Sequence, residues 1–308
     1  MKVLVTGGAG FIGSHVVDAC LEAGHDVCVV DDLSTGKRAN VNPRARLYVA
    51  DIRDREAMDE IFAAERPEAI CHLAAKANVR ESMVAPILYA EVNILGSLVL
   101  LELARTYGTR KVVYASTGGA VYGEPEYLPV DEEHPVNPLD PYGASKHHVE
   151  HYLRIYRAQF GIDYTILRFA NVYGPRQDPL GEAGVVAIWS RLMLKGERPV
   201  INGTGEQERD FVYVEDTARA NVLALTQGSG ETLNLGTGIG TSINALFDRL
   251  KAITGYQGDP EYAPAKKGEV FRIYITGQKA QRVLGWEPKV TLEEGLRRTV
   301  DYFRTLSL

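Results

Sequence analysis

The sequence contains little cysteine, no block of like charges and no long uninterrupted hydrophobic run. Three of its 308 residues are cysteines, Cys20, Cys28 and Cys71, and they form neither a C-x-x-C pair nor an even-numbered set. This pattern argues against a fold held together by disulfides and is typical of a reducing compartment. We therefore expect a cytoplasmic protein without structural disulfides.

The hydrophobic runs are too short to indicate a membrane segment. The longest nearly apolar stretch, residues 94–103, is interrupted by Gly96, Ser97 and Glu102. It falls short of the roughly 18 residues that suggest a membrane span. At the amino terminus one lysine precedes a short apolar run, but glycines follow where a signal peptide would have its cleavage site. We expect no membrane association, and the amino terminus is expected to form a strand.

Acidic residues slightly outnumber basic ones. Lys and Arg number 34 and Asp and Glu number 40, which gives a formal charge of −6. A mildly acidic chain without a basic run is unsuited to sequence-independent binding of nucleic acid. The hydrophobic fraction of 45%, without low-complexity segments, excludes a mainly disordered chain. The length predicts two domains, or one domain with a smaller lobe.

Short β-branched runs alternate with helical patterns through the first half of the chain. Strands are expected at residues 3–6, 26–31, 47–50, 69–73 and 111–115, and helices at residues 11–23, 55–65 and 86–107. This alternation indicates β-α-β units and therefore a parallel sheet covered by helices on both faces. The expected fold class is α/β, a Rossmann-type doubly wound parallel sheet with a second, smaller α/β substrate-binding lobe.

The pattern changes after about residue 170. Gly- and Pro-rich stretches there surround shorter helices, expected at residues 185–195 and 243–254. We expect a dinucleotide-binding domain at residues 1–170 and the smaller lobe at residues 171–308, with segments of the lobe returning to the first domain.

A glycine-rich motif follows the first strand directly and opens the first helix. It reads GGAGFIG, with Gly7, Gly10 and Gly13 at intervals of three. Glycine lets the backbone turn tightly and approach a pyrophosphate, and the helix N-terminus supplies N–H groups. Asp31 ends the second strand, where a carboxylate accepts both ribose hydroxyls and repels a 2′-phosphate, which favours NAD over NADP. A plain glycine turn and a surface turn are the alternatives, and Asp32 is a further candidate contact.

A second motif pairs a tyrosine with a lysine. Tyr142 and Lys146 are four residues apart in a predicted helix and therefore share a face. A nearby ammonium lowers the pKa of a phenol, so Tyr142 could act as a base near neutral pH. Ser116 and Thr117 follow a predicted strand, and either hydroxyl could bond the substrate oxygen and relay its proton. Such a pair also occurs by chance on exposed helices, but here it follows a dinucleotide motif.

Several further motifs occur in one order over essentially the whole chain. They are TGGAGFIGSH at residues 6–15, DIRD at 51–54, HLAA at 72–75, EVNILG at 91–96, ASTGGAVYG at 115–123, PYGASK at 141–146, LRFANVYGPRQ at 167–177, RDFVYVED at 209–216 and NLGTG at 234–238. With these motifs the sequence resembles the extended short-chain dehydrogenase/reductase family of NAD-dependent epimerases and dehydratases, and within it the UDP-glucose 4-epimerases. The resemblance implies a retained NAD, a UDP-sugar substrate, and interconversion of UDP-glucose and UDP-galactose through a 4-keto intermediate.

The resemblance also implies site residues. Catalytic roles fall to Thr117, Tyr142 and Lys146. Cofactor contacts are expected from Gly7, Gly10, Phe11, Ile12, Gly13, Asp31, Asp32, Asp51, Ile52, Leu73, Ala74, Ala75, Asn93, Ser116, Tyr142, Lys146 and Phe169. Substrate contacts are expected from Thr117, Tyr142, Asn171, Arg209, Lys266 and Glu269, with no metal. Lys266 stands where the family usually has arginine, and the alternative for Arg209 is a surface ion pair with Asp210 or Glu208.

Three other functions share part of this pattern. A nucleotide-sugar 4,6-dehydratase needs an Asp-Glu pair after its catalytic threonine, and Gly118-Gly119 cannot supply one. A 4-epimerase of UDP-N-acetylglucosamine or UDP-glucuronate would differ only in pocket contacts. A non-catalytic NAD-binding protein would have no need of the intact Tyr142 and Lys146. The resemblance further implies a homodimer formed through the helices at residues 86–107 and 143–160.

Overall fold

The computed structural model describes residues 1–180, 184–266 and 270–306. The strands are β1 Lys2–Thr6, β2 Asp26–Asp31, β3 Arg46–Val49, β4 Ala69–His72, β5 Lys111–Thr117, β6 Asp163–Phe169, β7 Asn171–Tyr173, β8 Val200–Asn202, β9 Glu208–Arg209, β10 Phe211–Tyr213, β11 Glu231–Leu235, β12 Thr241–Ser242, β13 Glu261–Ala263 and β14 Arg272–Ile273. The helices are α1 Phe11–Glu22, α2 Arg55–Glu65, α3 Val79–Val84, α4 Pro86–Tyr89, α5 Gly96–Tyr107, α6 Pro141–Phe160, α7 Val185–Leu194, α8 Val214–Ala224, α9 Ile243–Thr254, α10 Gln278–Leu284 and α11 Leu292–Thr305.

One large parallel sheet organises the first half of the chain. Its strand order is β11-β6-β5-β4-β1-β2-β3, and each neighbouring pair runs parallel. The order reverses between β1 and β4, so a crevice opens beyond the carboxyl ends of these strands, where doubly wound folds bind their ligands. The predicted fold class is confirmed.

The sheet is apolar on both faces, as a parallel sheet covered by helices must be. Within β1, Val3 and Val5 pack into a core shared with α1 and α8. Leu4 points the other way, into a core with α2, α5 and α6 that includes Phe62 and Leu100. Successive strand residues therefore anchor helices on opposite faces.

The second half of the chain forms small sheets beside the large one. They pair β7 with β10, β8 with β13, and β9 with β12 and β14. A separate core under them joins α7, α9 and α11 through Trp189, Phe247 and Val300. Two segments return to the large sheet, because β11 pairs with β6 and α8 packs on α1. The division near residue 170 stays a prediction.

A long helical segment runs over Pro86–Tyr107. It comprises α4, a π-helical segment at Ala90–Leu95, and α5, and it ends at Gly108 in the left-handed conformation. The segment has 22 residues, and its most apolar 18-residue window has a mean hydropathy of 1.7. By length and composition alone it could cross a membrane. The apolar run at residues 94–103 is itself short, and the helix reaches this length only because it extends beyond that run. The fold nevertheless buries 44% of its most apolar window.

Two boundaries differ from prediction in a way that shapes the site. The strand β5 continues through Ser116 and Thr117, so both hydroxyls stand in its last two positions. The helix α6 starts early because the Asp140 side chain accepts a hydrogen bond from the Gly143 amide and Pro141 occupies the first turn. Tyr142 therefore lies in the first helical turn.

Candidate active site

The glycine motif forms a tight turn between β1 and α1. Gly7 is in the left-handed conformation with φ +71°, and a Cβ there would lie 2.7 Å from the Ala74 backbone nitrogen. A Cβ on Gly13 would overlap the Gly7 carbonyl oxygen. Gly10 precedes α1, and within the described chain no side chain caps this helix start. The first N–H groups of α1 therefore suit an anion such as a pyrophosphate.

Asp31 stands at the carboxyl end of β2 and is only 7% exposed. Its carboxylate accepts hydrogen bonds from the Ala9 amide at 2.9 Å and the Leu33 amide at 2.8 Å. Burial raises its pKa, and these amide hydrogen bonds oppose the rise. The carboxylate is thus fixed beside the glycine loop, with lone pairs left for ribose hydroxyls. Asp32 instead accepts from the Ser34 amide and hydroxyl and so stabilises its own turn.

Asp51 and Ile52, two of the expected cofactor contacts, follow β3. The Asp51 carboxylate binds the Arg53 guanidinium, with its shortest contact at 2.6 Å, and this interaction lowers the pKa of Asp51. Ile52 is buried, and a Cβ on Gly96 would come within 2.7 Å of its side chain. Gly96 therefore lets α5 approach Ile52 closely, and Asp51 remains half-buried at the surface of the sheet edge.

The segment after β4 forms a wall beside the glycine loop. The Leu73 amide donates to the Thr6 carbonyl and the Ala74 amide donates to the Thr6 hydroxyl, both at 3.2 Å. Ala75 follows and is half-buried, as are Phe11 and Ile12 across the loop. These positions surround the crevice at the strand ends, which fits the cofactor trough expected from the sequence.

Asn93 is buried and acts as a clasp. Its side chain accepts from the Lys76 amide at 2.8 Å and donates to the Lys76 carbonyl at 3.0 Å and to the Ser145 hydroxyl at 2.9 Å. It therefore joins the wall after β4 to α6. The sequence predicted a cofactor contact for Asn93, and the structure uses both amide hydrogens within the protein.

Thr117 and Tyr142 meet at the end of β5. The Thr117 hydroxyl lies near the Tyr142 phenol and lowers the pKa of that phenol. The Ser116 side chain points away and donates to Glu150 at 2.7 Å. Of the two hydroxyls that the sequence left open, the structure therefore brings Thr117 to the tyrosine. Phe169, at the end of β6, accepts from the Gly118 amide through its carbonyl at 2.8 Å and so supports the next turn.

Lys146 is buried one helical turn after Tyr142. Its ammonium lies 4.5 Å from the centre of the Tyr114 ring, and burial lowers its pKa to about 7. Burial raises the pKa of Tyr142 to about 12, the Thr117 hydroxyl lowers it, and Asp140 raises it. The sequence predicted that Lys146 lowers the pKa of Tyr142. In the protein alone the burial of Tyr142 dominates, so a phenolate needs further positive charge.

Sequence reasoning missed a buried ionic network beneath these residues. Arg168 donates to both carboxylate oxygens of Glu150, at 3.0 and 2.6 Å, and to the Tyr122 phenol at 2.9 Å. Tyr122 continues the network to Asn234 of β11 at 2.7 Å. A glutamate on the buried face of α6, four residues after Lys146, was the signal that could have revealed it. The network holds β5, β6, β11 and α6 together behind the site.

Small residues leave room in front of Thr117. A Cβ on Gly119 would lie 3.9 Å from the Thr117 hydroxyl oxygen and 3.7 Å from the Asn171 amide oxygen. Asn171 is exposed at the start of β7. The structure therefore brings the predicted catalytic hydroxyl and one predicted substrate contact to the same opening.

Arg209 projects from β9 in the smaller lobe. Its guanidinium donates to the carbonyls of Glu208 at 2.8 Å and Phe271 at 3.2 Å. Neighbouring Asp210 is buried, its pKa rises to about 6 through that burial, and it accepts from Thr237 at 2.5 Å. Backbone carbonyls thus orient the guanidinium. Lys266 is half-buried, and Glu269 lies outside the described residues.

Within the described ranges, no group of three or more His, Cys, Asp or Glu side chains could hold a metal ion. The crevice brings together a glycine loop, a strand-end aspartate and the group of Thr117, Tyr142 and Lys146. A Rossmann fold with such a site defines a nicotinamide-dependent protein of the short-chain dehydrogenase/reductase type.

Comparison with known proteins narrows this class. A model of the NAD dependent epimerase/dehydratase family matches residues 3–236. A putative UDP-glucose 4-epimerase of Methanocaldococcus jannaschii is 50% identical over 98% of each chain. A UDP-glucose 4-epimerase structure from Thermotoga maritima, with UDP-glucose, has a TM-score of 0.97 at 53% identity over 99% of both chains. A Thermus thermophilus UDP-glucose 4-epimerase in complex with NAD has a TM-score of 0.94 at 45% identity, again over 99% of both chains.

The chain belongs to the NAD-dependent epimerase/dehydratase family. The family and the cofactor NAD that the sequence predicted are thereby confirmed. The roles of the individual site residues stay predictions, and the contacts described above are the physical support for them.

Replacing Asp31 by Ala should weaken the preference for NAD over NADP. The variant loses the buried carboxylate that would accept the ribose hydroxyls and repel a 2′-phosphate. Nucleotide released from heat-denatured wild type should be NAD(H), and the affinity ratio measured on apoprotein should fall in the variant. Asp32→Ala is the matched control and should keep the wild-type ratio. NADP as the dominant nucleotide of the wild type would contradict the assignment.

Proposed function

We propose that this protein interconverts UDP-glucose and UDP-galactose and retains its NAD throughout. The observation that carries the proposal is the proximity of the Thr117 hydroxyl and the Tyr142 phenol at the end of β5, beside the dinucleotide crevice. The end-to-end similarity to UDP-glucose 4-epimerases supports the choice of sugar. No net oxidation results, since the sugar is oxidised and then reduced at the same carbon.

The residues at the crevice would move one proton. Tyr142 takes the proton from the sugar O4 and later returns it, and the Thr117 hydroxyl holds O4 and relays the proton. NAD, when bound, supplies the oxidation of C4 and, in its reduced form, the reduction from the opposite face. Gly119 presents no side chain toward Thr117 and Asn171, which would leave the 4-ketosugar room to turn over between the two halves of the reaction.

Positive charge would set the protonation of Tyr142. Burial raises its pKa to about 12 although the Thr117 hydroxyl lowers it, so in the protein alone the phenol is protonated at neutral pH. Lys146 lies one turn away with its ammonium against the Tyr114 ring, and Tyr114 in turn senses the charge of Tyr142. Lys146 and Tyr142 would thus act as one electrostatic group. A positive nicotinamide ring beside it would add to the charge of Lys146 and favour the phenolate.

One assay tests the reaction and the sugar together. Purified protein is incubated without added nucleotide with UDP-galactose, UDP-N-acetylgalactosamine or UDP-galacturonate, and the epimers are resolved by chromatography. UDP-galactose should turn over fastest and yield UDP-glucose. Faster turnover of another sugar would support 4-epimerisation but contradict the choice of UDP-galactose as substrate. If none of the sugars turned over, the protein would more resemble the non-catalytic NAD-binding alternative. Loss of water from the sugar would indicate a dehydratase.

Replacing Arg209 by Ala should raise the KM for the UDP-sugar without changing the bound NAD. A charge-assisted hydrogen bond to the diphosphate is worth about 1.5–3 kcal/mol, or roughly a 10- to 150-fold effect on kcat/KM. Arg272→Ala is the control, because Arg272 is an exposed neighbour that pairs with Glu208 at 3.6 Å. Unchanged kinetics in the Arg209 variant would show that this arginine only orders its loop.

We also infer a homodimer. Exposed apolar side chains cluster on the helices at residues 79–107 and 141–160: Met83, Val84, Ile87, Leu95, Ile155 and Phe160. Val84 alone is 87% exposed, and exposed apolar side chains in such number favour association. Self-association through the helices at residues 79–95 and α6 would cover them, and an exposed charge such as Leu95→Glu should yield monomers in analytical ultracentrifugation.

The three cysteines are free buried thiols, which fits a reducing cytoplasm.

A further inference from the structure

The helix α6 carries a histidine pair that the proposed reaction does not use. His147 and His151 are one turn apart, and their Nε2 atoms lie 3.1 Å from each other. The ring centres are 4.6 Å apart with an interplanar angle of 71°. His147 is half-buried and His151 is exposed.

The Glu150 carboxylate fixes the protonation of His147. Burial alone would raise the pKa of Glu150, but hydrogen bonds from His147, Arg168 and Ser116 outweigh it and hold the pKa at about 2. An ionised carboxylate can only accept, so the 3.1 Å contact with Nδ1 of His147 places the proton on Nδ1. In the neutral ring the Nε2 atom of His147 is then the lone-pair acceptor. A carboxylate behind an imidazole is the arrangement that orients histidine ligands in metal sites.

The distance between the two nitrogens matches a chelate. Zinc binds histidine nitrogen at about 2.0–2.1 Å. Two nitrogens at that radius and 3.1 Å apart subtend about 98°, between the roughly 90° of square-planar and 109° of tetrahedral coordination. Small side-chain rotations at an exposed helix edge would bring both lone pairs onto one ion.

We propose that His147 and His151 chelate a divalent first-row transition ion such as Zn²⁺ through their Nε2 atoms, with Glu150 as the partner of His147 behind the site. Water fills the remaining coordination positions, because no third side chain completes the group within the described residues. Both His147 and His151 lie on the side of α6 away from α5, since Tyr156, which bonds Glu102 of α5, projects from roughly the opposite side of the helix. The site is therefore separate from the crevice but shares Glu150 with it.

The charges around the pair limit its affinity. Arg154 adds positive charge near His151, whereas the charge of Glu150 is neutralised by Arg168. We therefore expect moderate affinity for a divalent ion.

Zinc titration of the NAD-loaded protein by calorimetry at pH 7.5 tests the site. Wild type should bind one Zn²⁺ per chain, and His151→Ala should bind it at least about tenfold more weakly because one ligand of the chelate is gone. His148→Ala is the matched control, since His148 is exposed on the same turn and its Nδ1 contacts the Ala144 carbonyl. It should retain the wild-type affinity.

A spectroscopic measurement separates chelation from loose binding. With Cu²⁺ as the probe, electron paramagnetic resonance should report two imidazole nitrogens in wild type and His148→Ala, and one in His151→Ala. His151 is exposed and outside the network of Arg168, so the variant should fold normally in circular dichroism. Equal zinc affinity in all three proteins, or absence of binding by wild type at 1 mM Zn²⁺, would overturn the proposal.

Discussion

Replacing Tyr142 by Phe is expected to reduce turnover of the UDP-sugar by at least about 100-fold, the usual loss when a positioned acid–base group is removed. The ring is retained, so its packing in the first turn of α6 persists. Only the hydroxyl that lies near Thr117 is lost. The variant should keep its NAD and its KM for the UDP-sugar, and chromatographic assays over long incubations should detect the residual activity.

Tyr127→Phe provides a matched control for this change. Tyr127 is exposed and its hydroxyl donates to Asp131 at 2.7 Å, away from the crevice. It undergoes the same chemical change and should keep wild-type turnover. Near wild-type activity of Tyr142→Phe would show that another residue is the base.

Lys146→Met should shift the rise of kcat with pH toward higher pH by about one unit or more. A shift of this size is expected when one neighbouring charge is removed. The sign follows from the phenol: an ammonium favours phenolate, so its removal raises the pKa of Tyr142. In the protein alone burial lowers the pKa of Lys146 to about 7, and a phenolate at Tyr142 would in turn favour the charged form of Lys146. Kinetics from pH 6 to 10 would measure the shift. An unchanged profile would remove Lys146 from the control of Tyr142.

Gly13→Ala should deplete the protein of NAD. A Cβ there overlaps the Gly7 carbonyl oxygen and comes within 2.9 Å of the Gly8 Cα. The neighbours are backbone, so the phosphate-facing turn must move. Overpacking costs about 1–3 kcal/mol, which at 1.4 kcal/mol per tenfold step weakens NAD up to ~100-fold. Nucleotide content per chain, measured after gel filtration and heat release, checks the result.

Gly24→Ala separates loss of NAD from loss of stability. Gly24 follows the far end of α1 at φ +82°, with nothing within 4 Å of a built Cβ. The change therefore adds only backbone strain, of about 1–2 kcal/mol. It should lower the melting temperature while leaving the NAD content intact. If Gly13→Ala kept a full complement of NAD, the turn would not be the pyrophosphate site.

Local patterns predicted most of the first domain. The glycine motif, Asp31 and the Tyr142–Lys146 pair depend on neighbours within one strand or one helical turn, so the sequence alone indicates their positions in the fold. The fold of the large sheet follows from the alternation of apolar strands and helices. These features depend on residues that are close in the sequence, so a sequence pattern is enough to indicate them.

Long-range partners could not be predicted in the same way. The clasp of Asn93 joins residues of three elements, and the pair of Glu150 and Arg168 lies between a helix and a strand. Only the folded chain decides which hydrogen bonds satisfy such buried groups. In the smaller lobe, β9, β12 and β14 contain two residues each. Strands that short show no periodicity to recognise.

The π-helical segment at Ala90–Leu95 fixes how many residues this part of the chain must contain. It places Asn93 toward Lys76 and Ser145, whereas α5 turns Gly96 toward Ile52. Wider hydrogen-bonded rings accommodate one residue more than an ordinary helix. Deleting one residue here would rotate the part of the helix before the deletion by about 100° relative to α5. Either the hydrogen bonds of Asn93 or the contact of Gly96 with Ile52 would then be lost. Surface loops tolerate changes in length. In this helix, however, the one additional residue sets the rotation between the face that carries Asn93 and the face that carries Gly96.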